Sequence, residues 1–288
     1  MRFYTVDLNG NEYAAVENTD KKLVTLDSIG IKVSDMNELI KRFDELKADI
    51  ENGIKSGRPI DDYRILAPIP VPLQDIICLG VNYKEHIDET VDVHDFTNKQ
   101  DAVYFSKRVN RCNDPDGIIP VYNFVDCLDY EVELAVVLKK DAFRVSTEEA
   151  SDYIFGYTMI NDVSARNLQF KHQQWYRGKG LDGYTPMGPC IVTKDEIRDA
   201  HDLSIECFVN DEKRQSSNTS RMITTVEEAI SELSQGMTLK AGTVIATGTP
   251  GGVGMGFKPP KYLQPGDIVK CSIKGIGELV SKVGKSAS

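Results

Sequence analysis

Short apolar runs rich in β-branched residues recur through most of this 288-residue chain, and Gly, Pro and Asp separate them. Runs of this length and composition, bounded by turn-forming residues, are typical of β-strands. The runs span residues 76–79, 132–138, 191–193, 203–209, 243–246 and 268–273. We therefore expect an α+β protein that is mainly β, rather than one built from alternating βαβ units.

The first 66 residues predict a small N-terminal α/β domain. Asn9-Gly10 is a turn signal between short strands, and Ser34-Asp35 supplies a helix N-cap. The apolar residues after this cap repeat at helical spacing and predict one amphipathic helix: Met36, Leu39, Ile40, Phe43, Leu46 and Ile50. Three prolines at alternate positions from 68 to 72 then favour an extended connector. We place the domain boundary there, giving domains of residues 1–66 and 67–288.

A second helix is predicted to begin after Thr225. Glu228 lies three residues later, in the position of a capping box. The buried stripe of this helix is expected to contain five apolar residues: Val226, Ala229, Ile230, Leu233 and Met237.

The charge and cysteine content restrict the partners and the compartment. The chain has 44 acidic and 34 basic residues, a formal charge of −10, which argues against nucleic acid and anionic membranes as partners. A small anionic substrate remains possible, because a metal or a lysine can reverse the field locally. Six scattered cysteines predict reduced thiols, and neither a signal peptide nor an apolar span of membrane length is apparent. We expect a soluble, cytoplasmic protein.

Two glutamates lie at the start of the run 132–138. Side chains alternate along a strand, so Glu131 and Glu133 are expected to share one face, while Tyr130, Val132 and Leu134 occupy the other. Adjacent carboxylates repel and raise one another's pKa unless a cation lies between them. The pair therefore indicates either a solvated face or a metal site, and the strand alone favours neither.

Further candidate residues lie elsewhere in the larger domain. Asp162 follows an apolar strand and could add a third carboxylate, although its spacing alone favours an N-cap for the turn at residues 163–166. Lys179, between two glycines, is either solvated or a cation that stabilises a developing enolate. The Gly-rich segment 248–254 predicts either a flexible hairpin or a loop whose backbone N–H groups approach a ligand.

His86 and Glu89 lie three residues apart and share a face if their segment is helical. The carboxylate could then orient the imidazole as a general base, although a surface pair is the commoner occurrence. The polar and acidic residues 90–101 have the composition of a mobile lid.

From about residue 67 to its end, the chain resembles the fumarylacetoacetate hydrolase superfamily. Six motifs carry the resemblance, in the family's order: Gly-x-Asn-Tyr-x-x-His-x-x-Glu from Gly80, Asp-Tyr-Glu-x-Glu-Leu-Ala-Val-Val from Asp129, Asn-Asp-Val-Ser-Ala-Arg-x-x-Gln from Asn161, Arg-Gly-Lys from Arg177, Pro-Met-Gly-Pro from Pro186, and Ala-Thr-Gly-Thr-Pro-Gly-Gly-Val-Gly from Ala246. The resemblance implies a mixed β-roll or sandwich that forms a homodimer.

The resemblance also implies a metal centre. Glu131, Glu133 and Asp162 match the family's three carboxylate ligands of a divalent cation, and all-oxygen ligation suits Mg²⁺ or Mn²⁺. Lys179 matches the active-site lysine.

For the remaining positions, His86 and Glu89 match the catalytic dyad of the lid, and Gln169 and Thr249 match substrate-contacting positions. The substrates implied are small anionic 2-oxo acids. The sequence is similar to bacterial members with an N-terminal extension that act on oxaloacetate, so oxaloacetate decarboxylase or tautomerase is the leading hypothesis. The alternatives are an acylpyruvate hydrolase and a non-catalytic, metabolite-sensing protein. Gly180 departs from the Ser that many relatives carry after the lysine, which leaves substrate choice open.

Overall fold

The computed structural model describes residues 1–90, 101–172 and 174–285. Its strands, in chain order, are β1 (Arg2–Leu8), β2 (Asn11–Glu17), β3 (Leu23–Thr25), β4 (Arg64–Leu66), β5 (Ile76–Gly80), β6 (Val103–Lys107), β7 (Ile118–Pro120), β8 (Leu128–Asp129), β9 (Val132–Leu138), β10 (Ile154–Asn161), β11 (Ser164–Ala165), β12 (Met187–Thr193), β13 (Ser204–Val209), β14 (Glu212–Asn218), β15 (Val244–Ala246), β16 (Ile268–Ile273) and β17 (Gly277–Gly284). The α-helices are α1 (Met36–Gly53), α2 (Lys84–Thr90), α3 (Thr147–Ala150), α4 (Arg166–Lys171), α5 (Tyr176–Lys179) and α6 (Val226–Ser234).

Two mixed sheets form the main layers of the described chain. The larger has the strand order β3-β2-β1-β12-β10-β9-β15-β5-β6, with β4 also paired to β1. The smaller has the order β14-β13-β16-β17-β7, and β8 and β11 form a short pair of their own. Most pairs are antiparallel, whereas β15 with β5 and β17 with β7 are parallel. The predicted mainly β, mixed sandwich is confirmed.

Strand β9 lies inside the larger sheet and divides its side chains between two cores. Val132, Leu134 and Val136 face the apolar core that also contains residues of β13, β16 and β17, so this core lies between the sheets. Ala135 and Val137 belong to a second core on the opposite face. The alternation predicted for this segment is confirmed, and it places Glu131 and Glu133 on the side of the second core.

Helix α1 covers that second face of the larger sheet. Asp35 caps it by accepting a hydrogen bond from the backbone N–H of Glu38. The predicted apolar stripe is buried against the sheet, with the Phe43 and Phe155 rings 4.9 Å apart. Burial of each large apolar side chain contributes roughly 1.5–3 kcal/mol, which holds the N-terminal segment on the sheet.

Helix α6 has the predicted capping box between Thr225 and Glu228. One member of its predicted stripe is wrong, because the helix ends at Ser234 and Met237 lies beyond it with 51% of its surface exposed. Gly236 accounts for this end, since glycine is unfavourable within a helix and common just after one.

The larger sheet continues from the N-terminal segment into the rest of the chain. Strand β1 pairs with β12 through Phe3 and Ile191. The division into domains at residue 66 stays a prediction. No helix of the described ranges combines the length and apolar character needed to cross a bilayer.

Candidate metal centre and active site

A pocket lies where the start of β9, the end of β5, strand β6, the loop after β15 and helices α2, α4 and α5 meet. Its polar lining consists of His86, Thr90, Glu131, Glu133, Arg166, Gln169, Lys179 and Thr249. Its apolar lining includes Leu79, Phe105, Phe170, Trp175 and Met255. The structure therefore brings together residues that lie as far as 176 positions apart in the sequence.

Three buried carboxylates meet at this pocket. Oxygen atoms of Glu131, Glu133 and Asp162 all lie within 4.8 Å of one another. Two hydrogen bonds fix this approach, because the Asp162 backbone N–H donates to the Glu131 carbonyl at 2.8 Å and the Glu131 N–H donates to the Asn161 side chain at 2.9 Å. Helix α4 begins after Ala165, which caps it without a side-chain bond, so the N-cap interpretation of Asp162 is wrong.

Three buried cations surround these carboxylates. The Lys179 Nζ lies 2.5 Å from Glu131 Oε2 and 2.7 Å from Asp162 Oδ2. Arg166 Nη2 lies 2.6 Å from Glu131 Oε1, and Lys107 Nζ lies 2.6 Å from Asp162 Oδ1. Glu133 has no cation in contact among these, and its Oε2 accepts a hydrogen bond from the Gly248 N–H at 2.8 Å.

The cations set the protonation states. Burial opposes ionisation of Glu131, but Lys179 and Arg166 outweigh it and lower its pKa to about 2. Burial also opposes the charge on Lys179, yet Asp162 and Glu131 raise its pKa, so it is an ammonium at neutral pH. Burial and the charges of Asp162 and Glu131 raise the pKa of Glu133 well above its usual value.

These residues fit a divalent cation. Their donors are all carboxylate oxygens, the ligand type preferred by Mg²⁺ and Mn²⁺, and no thiol or imidazole belongs to the set. Burial and the charges of Asp162 and Glu131 outweigh the positive charge of Lys179 and raise the pKa of Glu133, so further positive charge here would favour its ionised form. A cation bound by all three carboxylates would supply this charge.

His86 and Glu89 lie on helix α2 at one side of the pocket. His86 Nδ1 is 2.7 Å from Glu89 Oε1, and the Gly252 backbone N–H donates to Glu89 Oε2 at 2.7 Å. A Cβ at Gly256 would lie 2.4 Å from Glu89 Oε2, so a larger residue there would displace the Glu89 carboxylate. The interpretation as an exposed pair is wrong, since His86 is buried and lines the pocket.

Gln169 and Thr249 also line the pocket, and each has internal partners. Gln169 accepts a hydrogen bond from Arg166 Nη1 at 3.0 Å. The Thr249 hydroxyl donates to the Val132 carbonyl at 2.9 Å and accepts from Gln215 at 2.8 Å. A Cβ at Gly178 would lie 2.6 Å from the Gln169 backbone nitrogen, so this glycine lets α5 and Lys179 pack closely on α4.

Sequence reasoning missed three buried charged residues of the site: Lys107, Asp129 and Arg166. Asp129 accepts hydrogen bonds from Arg166 Nε and from the backbone N–H groups of Gly254 and Met255. Asp129 and Arg166 lie within two of the quoted motifs, which was a usable signal, whereas Lys107 lies outside all six.

The N–H groups of the Gly-rich loop have partners within the site itself, and an approach of this loop to a ligand stays a prediction. Its backbone N–H groups bind the carboxylates of Glu133, Glu89 and Asp129 through Gly248, Gly252 and Gly254. The loop thus orients the acidic side chains of the site. Most of the predicted lid, residues 91–100, lies outside the described residues.

Comparison with known proteins identifies relatives along the whole chain. The family model for the C-terminal region of fumarylacetoacetate (FAA) hydrolase matches residues 75–284. Oxaloacetate tautomerase YisK of Bacillus subtilis is 36% identical over 303 residues, covering 99% of this chain and all of the relative.

Solved structures agree with this result. A fumarylacetoacetate hydrolase from Exiguobacterium antarcticum is 38% identical with a TM-score of 0.86, and 99% of each chain is covered. Maleylpyruvate hydrolase from Sphingobium sp. SYK-6, solved with manganese(II) and pyruvate, is 27% identical with a TM-score of 0.79 and 99% coverage of both chains. The full-length match, the family model and the shared fold together place this chain in the fumarylacetoacetate hydrolase family.

Proposed function

We propose that this protein is a Mg²⁺- or Mn²⁺-dependent enzyme that acts on small 2-oxo acids, with oxaloacetate tautomerisation or decarboxylation as its reaction. The proposal rests on one observation: a set of metal-binding carboxylates and a set of proton-donating or proton-accepting side chains lie together at one pocket. Three buried carboxylates suited to a hard cation lie beside an ammonium, Lys179, and an oriented histidine, His86. The similarity to an oxaloacetate tautomerase over the full chain supports oxaloacetate as the substrate.

The proposed metal ligands are Glu131, Glu133 and Asp162. A divalent cation held by them would bind the C1 carboxylate and C2 oxygen of a 2-oxo acid and draw electron density toward C2. Arg166 and the Gly248 N–H orient two of the ligand carboxylates before the cation binds. This preorganisation lowers the cost of assembling the centre.

Lys179 has the charge needed to stabilise an enolate. Because it is an ammonium at neutral pH, it serves as a hydrogen-bond donor and a positive charge rather than as a base. We assign it to the oxygen at C2, where negative charge develops in both proposed reactions. Gln169 and Thr249 are proposed to contact the substrate from the same pocket.

His86 is proposed to move the proton. An ionised carboxylate only accepts hydrogen bonds, so Glu89 holds the N–H on Nδ1 of His86 and leaves the lone pair on Nε2. In tautomerisation this nitrogen would take a proton from C3 and then give it to the C2 oxygen, which leaves His86 neutral again. In decarboxylation the C3–C4 bonding electrons form the enolate and CO₂ leaves, and His86, after taking a proton from solvent, would give it to C3.

Acylpyruvate hydrolysis is the second candidate. The same dyad could activate a water molecule for attack on the acyl carbonyl, which releases pyruvate and a carboxylic acid. The likeness to a maleylpyruvate hydrolase solved with manganese(II) and pyruvate favours this alternative. We also propose that the protein forms a homodimer, which light scattering coupled to size-exclusion chromatography would test.

A substrate panel tests the proposal. Metal-stripped protein is reloaded with Mg²⁺ or Mn²⁺, and the enol fraction of oxaloacetate is followed by ultraviolet absorbance while pyruvate is measured with lactate dehydrogenase. Several acylpyruvates are assayed in parallel. We expect metal-dependent turnover of oxaloacetate. Failure to change the enol fraction and to release pyruvate from any of these compounds would refute the proposed function.

A further inference from the structure

Lys107 is a fully buried lysine at the end of β6 that no sequence motif singles out. Its ammonium lies 2.6 Å from Asp162 Oδ1, 3.2 Å from the Val163 carbonyl oxygen and 2.6 Å from the Lys179 carbonyl oxygen. An ammonium has three N–H donors, so these three acceptors satisfy it completely. Lys107 therefore links β6, the turn after β10 and helix α5.

The oxygens of the proposed metal ligands are divided between two sets of partners. Asp162 directs Oδ1 to Lys107 and Oδ2 toward the centre of the site, where Lys179 Nζ lies 2.7 Å away. Glu131 is divided in the same way, with Oε1 against Arg166 and Oε2 toward Lys179. Each of these two carboxylates thus has one oxygen held by a cation outside the centre.

This division bears on the choice of cation. Mg²⁺ requires a compact octahedron, whereas Ca²⁺ accepts more oxygens and often takes both from one carboxylate. An ammonium on one carboxylate oxygen occupies one of its lone pairs and repels a second cation there, so it disfavours coordination of a metal by both oxygens. Lys107 and Arg166 therefore oppose the arrangement that a larger cation prefers.

We propose that Lys107 is a positioning residue with two separable effects: it restricts Asp162 to one coordinating oxygen, and it holds the backbone of Lys179 in place. The inference rests on the proposed metal site. The first effect acts on the choice of metal, and the second acts on the side chain assigned to the substrate oxygen. A residue that served only the fold would not separate these two properties.

Lys107→Met tests the inference, because methionine has a similar length but no N–H donors. Loss of the ammonium frees Asp162 Oδ1, so the affinity for Ca²⁺ should rise relative to that for Mn²⁺ by about tenfold. The Lys179 carbonyl loses its donor at the same time. The affinity of the Mn²⁺-loaded protein for oxalate, a probe that resembles an enolised 2-oxo acid, should therefore fall by about tenfold.

The measurements are Mn²⁺ binding by electron paramagnetic resonance, Ca²⁺ by competition, oxalate by calorimetry, and the melting temperature. Lys107→Arg keeps the positive charge beside Asp162 and should therefore show the preference for Mn²⁺ of the unmodified protein. This variant is measured in place of Lys107→Met if the methionine variant does not fold. Lys194→Met is the matched control. Lys194 lies away from the site, and its ammonium donates a hydrogen bond of 2.8 Å to the Ser151 carbonyl. Lys194→Met should change neither affinity.

Three outcomes are decisive, and they refute two different statements. If the unmodified protein binds no Mn²⁺, the proposed metal site is wrong, and the inference fails with it. If the unmodified protein binds Mn²⁺ but Lys107→Met weakens Mn²⁺, Ca²⁺ and oxalate in parallel, only the role of Lys107 is refuted. An unchanged Ca²⁺ to Mn²⁺ ratio in a folded Lys107→Met protein also refutes it.

Discussion

Glu89 Oε1 lies 2.7 Å from His86 Nδ1, one turn earlier on the same helix. The other oxygen of Glu89 accepts a hydrogen bond from the Gly252 N–H at 2.7 Å, so the carboxylate cannot rotate freely. The imidazole is thereby fixed by a group that is itself fixed by the Gly-rich loop. This arrangement suits a general base that must accept and release its proton at the same ring nitrogen each time.

Glu89→Gln should remove most of the turnover while substrate affinity is retained. The amide can donate to Nδ1 of His86, which would move the imidazole proton to Nε2 and leave no base there. General acid–base catalysis is worth about 10²–10⁴-fold, so kcat should fall by that factor. Calorimetry should show that the Glu89→Gln variant binds oxalate with the same affinity as the unmodified protein.

Glu85→Gln is the matched control, since Glu85 lies on the same helix and pairs with Arg221 at the surface. It should leave kcat within about twofold, as surface ion pairs contribute little. A metabolite sensor would show no turnover in the unmodified protein and an unchanged ligand response in Glu89→Gln.

Glu133→Gln should weaken metal binding without lowering the stability of the fold. The amide oxygen can still accept the hydrogen bond from Gly248, and the substitution removes a buried carboxylate that faces Asp162 and Glu131. We expect Mn²⁺ affinity to fall by at least about 100-fold. The melting temperature after metal removal should equal or exceed that of the unmodified protein. A lower melting temperature with unchanged Mn²⁺ affinity would contradict the assignment of Glu133 as a ligand.

Asp129→Ala should strongly destabilise the protein. Asp129 is buried and accepts hydrogen bonds from Arg166 and from the backbone N–H groups of Gly254 and Met255. Removing one partner of a buried ion pair costs about 3–5 kcal/mol. Urea unfolding monitored by circular dichroism would measure the free energy of unfolding. Asp126→Ala is the control, because Asp126 is exposed and its loss should cost less than about 0.5 kcal/mol.

Trp175→Ala should widen the range of substrates. The Trp175 ring lies directly against the backbone of Gly80, where a Cβ would be 2.3 Å from it, and its centroid is 5.1 Å from that of Phe105. The indole therefore fills part of the pocket beside Lys179. The ratio of kcat/KM for a long acylpyruvate to that for a short one should rise by about tenfold or more. An unchanged ratio would show that Trp175 does not limit substrate length.

His201 provides a pH-dependent stability term outside the site. Its hydrogen bond to Glu227, at 2.8 Å, raises the pKa of His201. The folded state therefore holds this proton more tightly than the unfolded state does. The resulting stabilisation is fully present below about pH 6.5 and is lost as the pH rises through the higher folded pKa.

The pair joins helix α6 to the segment before β13. His201→Gln should lower the free energy of unfolding by about 0.5–1 kcal/mol near pH 6, and by less at pH 9. Urea titrations across this range would measure the difference. His172→Gln, at an exposed position, should show no such trend. A cost for His201→Gln that is constant with pH would contradict the role of its protonation.

Local sequence predicted the elements well where one physical rule dominates. The apolar stripe of α1, its Asp35 cap and the capping box of α6 follow from helical spacing and local hydrogen bonds, and all are present. Met237 shows the limit of that reasoning, because a glycine ended the helix before the apolar period did.

The sequence by itself determined that Glu131 and Glu133 share a face, because a strand alternates its side chains. Only the tertiary structure decided which side chains contact the two glutamates on that face. Asp162 and Arg166 reach the glutamates, and Lys107 reaches Asp162, through strand pairing and the packing of α4 and α5, in contacts that span 29 to 55 residues along the chain. Sequence spacing cannot encode such contacts, and the charge of a buried carboxylate depends on which cations they bring near it.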